Sequence, residues 1–267
     1  MNETLIEENW SPKPLVECYK LQVIGGYCTI LFIVGIIANP TIIWIILRNK
    51  ELVNPVNILI VALSILNTIG VLVELPLVTI SAFMCRFKFG KLGCYWEAFL
   101  MFFIGCSTIF ILTSISCMRF YIIKIPHNSS LRVINRILMK LILISCVLGL
   151  VFSLMPILGW SEYSLEGAMI SCSIEWNKRT PSVLSFIFTF AFFVYLIPLC
   201  TLIYTNLKIF FIVRCSTLFL FKPFFSKVRS SKKRLVGANN QIKKKQITEF
   251  KLSIRLAILI SILDFNF

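Results

Sequence analysis

The sequence predicts an all-α membrane protein built as a transmembrane helix bundle, and two observations support this prediction. Of its 267 residues, 58% are hydrophobic and only 15% are charged, which is far too apolar for a soluble domain of this length. The charged residues also cluster between apolar runs that reach the roughly 20 residues a helix needs to cross a bilayer. Because backbone inside a bilayer must satisfy its own hydrogen bonds and these runs do not alternate, helices are favoured over a barrel.

Five apolar runs are long enough to cross the membrane, and a shorter sixth run extends to the last residue. The predicted complete spans cover about 21–47, 56–82, 93–124, 134–158 and 183–213, and the partial sixth span covers about 250–267. Residues 1–20 are polar and are predicted to be an extracellular segment, not a cleaved signal peptide. The predicted domain therefore covers 21–267, with a basic inner loop over about 214–249.

Lysine and arginine are distributed unequally between the two sides of the predicted bundle. Basic residues follow the first, third and fifth spans, whereas the N-terminal segment is acidic. Cytoplasmic loops carry an excess of these residues, so the N-terminus is predicted to lie outside. Two glycosylation sequons, which begin at Asn2 and Asn9, are then candidates for modification because they fall on the lumenal side.

The segment from Arg214 to Lys245 carries ten of the 27 basic residues and no acidic residue. Anionic lipid attracts such cations with about 1 kcal/mol for each residue near the membrane surface. No folded nucleic-acid motif with interleaved aromatic residues accompanies the charges, so nucleic acid is not a predicted partner. The segment is predicted to be a solvated loop that sets the topology or a contact for membrane lipid.

The cysteines and the histidine restrict the chemistry that the chain can support. Five of the ten cysteines lie inside apolar spans and are interpreted as small buried hydrophobic residues. Cys18 and Cys85 are external, and the sequence does not decide whether they are free or pair with each other. No metal-binding spacing is present, and the single histidine, His127, excludes a His-based triad. Neither a metal site, nor a catalytic residue, nor enzyme activity is predicted.

Two segments resemble the opsins, the retinal-binding class of rhodopsin-like receptors. The loop between the fourth and fifth spans resembles the second extracellular loop of opsins in Gly159-Trp160-Ser161, Glu166-Gly167 and Cys172. The segment Gly90-Lys-Leu-Gly-Cys94 opens the third span as in that family. The resemblance extends from about Gly25 to Ile262 and implies a rhodopsin-like bundle with a disulfide between Cys94 and Cys172.

Motifs within the spans extend the resemblance and also depart from it. The first span contains Gly35-Ile-Ile-Ala-Asn39, similar to the family's Gly-x-x-x-Asn pattern, in which a small residue and an amide allow close helix packing. The second span has Asn67 where the family has a buried aspartate, which weakens the family's site for a sodium ion or proton. The fifth span keeps Pro198 at the position of the family's kink.

The end of the third span resembles the family in spacing and differs from it in chemistry. The number of residues between Cys94 and Met118-Arg119-Phe120 equals that between the family's cysteine and its Asp/Glu-Arg-Tyr triplet. By this resemblance, Arg119 corresponds to the arginine that faces the G protein. Met118 replaces the acid, and Arg119 is therefore expected to extend towards water or phosphate. A heterotrimeric G protein is the implied partner of a complete receptor, and the basic segment from Arg214 to Lys245 is an alternative contact for it.

Three carboxylates are candidates for the counter-ion of a protonated retinal Schiff base. Glu97, one turn after Cys94, lies where many visual opsins have this glutamate, and Glu166 matches the loop glutamate that serves other opsins. Glu74, in the outer half of the second span, is the third candidate. Alternatively, Glu97 and Glu74 lie near the outer rim and reach water or the basic residues that follow the second span.

The residue that would hold retinal covalently is missing. An opsin binds retinal through a lysine of its seventh helix, and no lysine lies in the core of any predicted span here. After Ile262 the sequence reads Leu-Asp-Phe-Asn-Phe267, without the family's Trp-x-Pro and Asn-Pro-x-x-Tyr motifs. We therefore expect an opsin-like G-protein-coupled photoreceptor that is truncated within its sixth helix and forms no covalent pigment alone.

Alternatives remain for the function and location. The chain is either this incomplete photoreceptor or a non-signalling fragment that associates with full-length receptors as a dimer, and a third possibility is a non-opsin receptor of the same fold. The opsin subgroup is unresolved between peropsin-like and rhabdomeric members. A multi-pass membrane location is expected, at the plasma membrane for a complete receptor and with retention in the endoplasmic reticulum for a truncated form.

Overall fold

The computed structural model describes residues 16–124 and 131–221 of the chain. Within them, five helical segments are apolar and long enough to cross a membrane, which confirms the predicted all-α transmembrane bundle. The predicted sixth span, most of the basic loop, and the sequons at Asn2 and Asn9 lie outside the described residues. The packing described below is that of the compact unit that ends at Leu207.

Helices α1 to α4 correspond to the first four predicted spans, and the fifth span consists of α5, a π-helical turn and α6. Their bounds are Cys18–Arg48, Pro55–Phe83, Gly90–Lys124 and Leu131–Leu154, followed by Pro181–Phe190, the π-turn Ala191–Leu196 and Ile197–Phe221. Helix α4 ends before residue 158, the predicted limit of the fourth span, because Pro156 lacks the N–H that would continue the helix.

Two helices begin with the same combination of a polar cap and a proline. At α2, the side chain of Asn54 accepts a hydrogen bond of 2.9 Å from the backbone N–H of Asn57, and Pro55 occupies the first turn. At α5, the Thr180 hydroxyl accepts from the backbone N–H of Val183 at 3.4 Å, and Pro181 follows the cap. Proline fits a first helical turn because the missing donor has no helical partner there.

Helices α1 and α2 approach each other closely at Gly35. A Cβ atom at this position would lie 2.6 Å from Cγ2 of Val71, a distance that real side chains do not tolerate. Asn39 donates its side-chain amide to the carbonyl oxygen of Gly35, one turn earlier in the same helix, at 3.1 Å. The small residue of the Gly-x-x-x-Asn motif thus sets the distance between the helices, as is common in membrane proteins.

Helix α3 is the central helix of the bundle. It packs against α2 and α4, against the π-turn, and against both strands of the loop that follows α4. Its buried polar residues are Glu97, Ser107, Thr108, Ser114 and Ser116. A membrane helix with polar groups directed inward presents them to neighbouring helices or to a ligand, so α3 is the helix on which to look for a site.

The fifth span is irregular at its centre. The π-turn Ala191–Leu196 directly precedes α6, and Pro198 is buried in the first turn of α6. Proline cannot donate a hydrogen bond to the carbonyl of Val194, and a π-turn accommodates such a missing donor by shifting the hydrogen-bond register. The resemblance placed the family's kink at Pro198, next to this irregular turn.

A β-hairpin departs from the purely helical prediction. Strands β1 (Tyr163–Leu165) and β2 (Cys172–Ile174) pair antiparallel, with Tyr163 opposite Ile174 and Leu165 opposite Cys172. Both strands contact α3. The hairpin therefore lies over one end of the bundle as a lid, defined here as residues 161–176.

Candidate functional site

A disulfide fixes the lid to α3. Cys94, in the first turns of α3, is bonded to Cys172 of β2, and the two Cα atoms are 5.3 Å apart. Both cysteines are completely buried. This is the pair that the resemblance to opsins implied, and it holds the second strand of the lid against the helix that carries Glu97.

A second disulfide joins Cys18 and Cys85, the pair that the sequence left undecided. It connects the start of α1 to the segment after α2, with Cα atoms 5.3 Å apart. Cys85 belongs to a small buried cluster with Leu21 of α1, Ala82 of α2 and Ile170 of the lid. The tip of the lid is therefore packed against the Cys18–Cys85 disulfide, and strand β2 of the lid is held by the Cys94–Cys172 disulfide.

Hydrogen bonds hold the tip of the lid in a defined conformation. The backbone N–H of Phe87 donates to the carbonyl oxygen of Met169 at 2.9 Å, and the N–H of Met169 donates to the carbonyl oxygen of Glu166 at 2.9 Å. The hydroxyl of Ser171 donates to the Glu166 carboxylate at 2.8 Å. The half-buried Glu166 side chain is thus oriented by its own loop.

Tyr163 anchors the first strand of the lid. Its phenolic O–H donates to the backbone carbonyl oxygen of Ser153 in α4 at 2.7 Å, and its side chain is buried. Burial, and secondarily the neighbouring Cys106, raises the pKa of Tyr163 above that of an exposed tyrosine. The phenol therefore remains protonated and can act as a hydrogen-bond donor throughout the physiological pH range.

Aromatic rings fill the space beneath the lid between α3 and α5. The ring of Phe102 lies 5.1 Å from that of Phe190 and 6.0 Å from that of Tyr163, measured between centroids. Phe186 stacks on Phe190 at 5.9 Å, and the Trp160 indole donates to the Ser185 hydroxyl at 2.9 Å. This wall can contact an elongated apolar ligand, since aromatic rings supply large apolar surfaces with little conformational freedom.

Glu97 is buried in α3 next to this wall. Its side chain is 1% exposed, and in the described part of the chain no side chain donates a hydrogen bond to its carboxylate, which interacts with the backbone of Cys172. The alternative in which Glu97 reaches water at the outer rim is therefore wrong, because Cys172 and the lid cover this part of α3. A buried carboxylate is energetically costly unless it is paired, so Glu97 is a candidate functional residue.

The three predicted counter-ion candidates come together at this end of the bundle. Glu97 interacts electrostatically with both Glu74 and Glu166, and Glu74 also interacts with Glu166. Among the described residues, ion pairs join Lys20 to Glu17 and Lys178 to Glu162, and none of the three carboxylates takes part in an ion pair. We call Glu74, Glu97 and Glu166 the carboxylate cluster. Such a cluster can stabilise a cationic group of a ligand.

At the opposite end of α3, Arg119 has an apolar environment instead of the usual acid. Met118, which replaces that acid, is 1% exposed. Arg119 is half-buried, and its Nε atom is buried without a hydrogen-bond partner in the described part of the chain. The expected extension of Arg119 towards water or phosphate concerns the outer end of the guanidinium and stays a prediction. Asn67, which stands where the resemblance places the family's buried aspartate, is half-buried in α2.

A hydrogen-bonded contact between α3 and α6 was not predicted from the sequence. The hydroxyl oxygens of Ser116 and Thr205 are 2.7 Å apart, and the Ser116 hydroxyl also lies 3.4 Å from Oδ1 of Asn206. The resemblance to opsins aligns Asn206 with a tyrosine of that family. Hydroxyl and amide residues on facing membrane helices are the sequence signal that could have indicated this contact.

The comparisons with known proteins agree with the fold and the lid. The family described as "7 transmembrane receptor (rhodopsin family)" matches residues 38–261. A Gq-coupled rhodopsin of Mizuhopecten yessoensis is 32% identical over 192 residues, covering 72% of this chain and 38% of that protein. Melanopsin-A of Danio rerio is 28% identical over 245 residues, covering 91% of this chain and 41% of that protein.

A solved structure of squid rhodopsin has the same fold. It matches with a TM-score of 0.75 and 22% sequence identity, covering 91% of this chain and 65% of the squid protein. The chain spans less than half the length of the curated relatives it matches. With the family match over 38–261, the chain belongs to the rhodopsin family of seven-transmembrane receptors.

Proposed function

We propose that this chain provides the lid and pocket wall of a light-sensing opsin, in which the carboxylate cluster stabilises the cationic end of a retinoid. The observation that carries the proposal is Glu97, a buried carboxylate to which no side chain of the described residues donates a hydrogen bond, beneath a lid that a disulfide fixes to the same helix. A buried negative charge becomes favourable when a cation is placed beside it. Glu74 and Glu166 lie close enough to interact electrostatically with Glu97.

The residues beneath the lid match a retinoid in polarity. Phe102, Phe190 and Tyr163 offer apolar ring surfaces to an extended chain, and the carboxylate cluster lies at the same end of α3. Retinal supplies the absorption of light and the change of shape when it is bound in an opsin. The described residues supply binding, exclusion of water by the lid, and the negative charge.

Covalent attachment is not part of the proposal for this sequence. An aldehyde needs an amine to form an imine, and no lysine of the 267 residues lies in the core of a predicted span. We expect weak, non-covalent binding of retinoid by this chain when it is expressed as given. Borohydride treatment after incubation with retinal should then leave no reduced adduct on the protein.

Coupling to a G protein is proposed for a complete receptor that contains this sequence. Its support is Arg119 at the end of α3, which the resemblance aligns with the arginine that faces the G protein, and the similarity to a rhodopsin named for Gq coupling. The chain itself is a multi-pass membrane protein. Its location at the plasma membrane or in the endoplasmic reticulum is tested by imaging a tagged chain beside markers of both.

The carboxylate cluster can be tested with a preformed imine of retinal and n-butylamine. This probe absorbs in the visible range only when it is protonated, and a buried carboxylate should keep it protonated at a pH at which the free probe is neutral. We expect visible absorbance with the purified chain and its loss in Glu97→Gln. The matched control is Glu17→Gln, which removes an exposed carboxylate outside the cluster.

A competition experiment with the same probe distinguishes the light-sensing opsin from a receptor for a cationic amine. The amine receptor is the second function that the carboxylate cluster favours. A saturated long-chain amine that displaces the imine probe with at least equal affinity would support that alternative. Visible absorbance that persists in Glu97→Gln, or that never appears with a folded chain, would overturn the counter-ion proposal. Correct folding is checked by the presence of the Cys94–Cys172 disulfide in each variant.

A further inference from the structure

An apolar groove lies between α1 and α2 on the outside of the described bundle. It has a volume of about 640 Å³ and is lined by residues between Pro40 and Arg48 of α1 and between Ile65 and Ile69 of α2. Trp44 is 61% exposed and Ile65 is 47% exposed, so large apolar side chains face the membrane here. The groove is separate from the carboxylate cluster and plays no part in the function proposed above.

Close backbone packing makes the groove a fixed feature of the helix pair. The two helices are held together at Gly35 and Val71, just before the groove begins. Pro40 then contributes a ring and no backbone N–H to the groove wall. The shape therefore depends on the helix backbones and on side chains with few rotamers, and a ligand would meet a preformed surface.

The rim of the groove carries a cation that is available to a ligand. Arg48 is the last residue of α1, and its guanidinium lies 5.5 Å from the centroid of the Trp44 ring. In the described part of the chain no carboxylate forms an ion pair with Arg48. The neighbouring Asn49 donates its side-chain amide to the carbonyl oxygen of Ile45 at 2.8 Å, which satisfies an acceptor at the helix end without Arg48.

We propose that this groove binds an anionic phospholipid, with an acyl chain in the groove and the phosphate on Arg48. Arginine forms two parallel hydrogen bonds to phosphate, and tryptophan is favoured at the level of the lipid headgroups. Basic pockets between helices at the cytoplasmic side of membrane proteins bind anionic headgroups. Lys50 lies two residues after Arg48 and adds a second positive charge near the same helix end.

Charge favours a lipid over a second copy of the chain. In a symmetric dimer formed by this face, the same surface patch is used by both copies, which would place one Arg48 close to the other at the same depth in the membrane. Like charges at an interface are unfavourable. An anionic headgroup instead neutralises the guanidinium and leaves the apolar walls to the acyl chain.

The test uses the full 267-residue chain in lipid nanodiscs that contain a photoreactive phospholipid. One preparation has the probe with a phosphatidylserine headgroup, and the other has it with phosphatidylcholine and identical acyl chains. Crosslinked peptides are then quantified by mass spectrometry. We expect the anionic probe to label the segments 40–48 and 65–69 about fivefold more than the zwitterionic probe, the ratio that corresponds to one arginine near the headgroups.

Two variants and a matched control separate the contributions of charge and groove. Arg48→Gln should reduce labelling by the anionic probe to the level of the zwitterionic probe, and Ile65→Trp should fill the groove and reduce labelling by both probes. Lys124→Gln is the control, because Lys124 is also a cation at a helix end over an aromatic ring, at 4.5 Å from Phe120, but lies far along the chain from the groove. It should leave labelling of the groove unchanged.

Three outcomes would overturn the proposal. Equal labelling by the two probes in the wild-type chain would mean that the groove holds ordinary bulk lipid without headgroup selection. A headgroup preference that survives Arg48→Gln would place the selectivity elsewhere. Crosslinks between two copies of the chain through 40–48 would show that a second copy occupies the face.

Discussion

The phenolic O–H of Tyr163 donates to the backbone carbonyl oxygen of Ser153 at 2.7 Å, so the lid is tied to the end of α4 by a buried hydrogen bond. Strand β1 has no disulfide of its own, since Cys172 lies in β2. This bond therefore fixes the strand that the Cys94–Cys172 disulfide does not reach directly.

We predict that Tyr163→Phe destabilises the chain by about 1–3 kcal/mol, because the buried carbonyl of Ser153 loses its donor while the ring packing is kept. Thermal unfolding in detergent measures the effect. The control is Tyr19→Phe, which removes the same hydroxyl from a tyrosine that is 62% exposed and should change stability little. Equal stability of Tyr163→Phe and wild type would contradict the importance of the bond.

The same variant should also change how stability depends on pH. Because burial raises the pKa of Tyr163, the folded chain keeps the phenolic proton above about pH 10, where an unfolded chain releases it. The unfolded state then binds fewer protons, so stability falls as the pH rises above this value. Tyr163→Phe should show a shallower fall than wild type when unfolding is measured at alkaline pH, and parallel curves would argue against this cause.

Helices α3 and α4 meet at Gly149, where a side chain has no room. A Cβ atom there would lie 3.0 Å from the Phe103 carbonyl oxygen and 3.0 Å from the Ser107 backbone nitrogen, neither of which can move without the helix. We predict that Gly149→Ala costs about 1–3 kcal/mol of stability through overpacking. Gly105→Ala is the matched control, since a Cβ at Gly105 would meet no atom within 4 Å.

The Cys18–Cys85 disulfide is predicted to stabilise the tip of the lid as well as the ends of α1 and α2. Ile170 packs on the buried cluster that contains Cys85, so loss of the bond should loosen the turn that orients Glu166. We expect faster hydrogen exchange of the backbone amides between 166 and 171 in Cys18→Ser/Cys85→Ser. Cys200→Ser, at an exposed free cysteine, should leave exchange unchanged. Unaltered exchange in the double variant would show that the disulfide acts on the helices alone.

Residue properties that act locally could be predicted from the sequence. The spans follow from the lengths of apolar runs, and a proline such as Pro55 is typical of a first helical turn because it lacks the donor that such a turn does not use. Cys18 and Cys85 are 67 residues apart, and only the packing of α1 against α2 brings them together. The burial of Glu97 was equally unpredictable, because it depends on where the lid folds and not on the position of Glu97 along α3.

The hydroxyl contact between Ser116 and Thr205 should couple α3 to α6 energetically. A double-mutant cycle with Ser116→Ala and Thr205→Val isolates this pair, and we predict a coupling energy of about 0.6 kcal/mol, the average for hydrogen bonds between membrane helices. Unfolding free energies of the four proteins in detergent give the value. The matched control cycle pairs Ser116→Ala with Thr201→Val, since the hydroxyl of Thr201 donates to Ile197 within its own helix. That control should show coupling near zero. Equal coupling in both cycles would mean that the substitutions perturb α6 generally, and that the Ser116–Thr205 contact does not join the two helices.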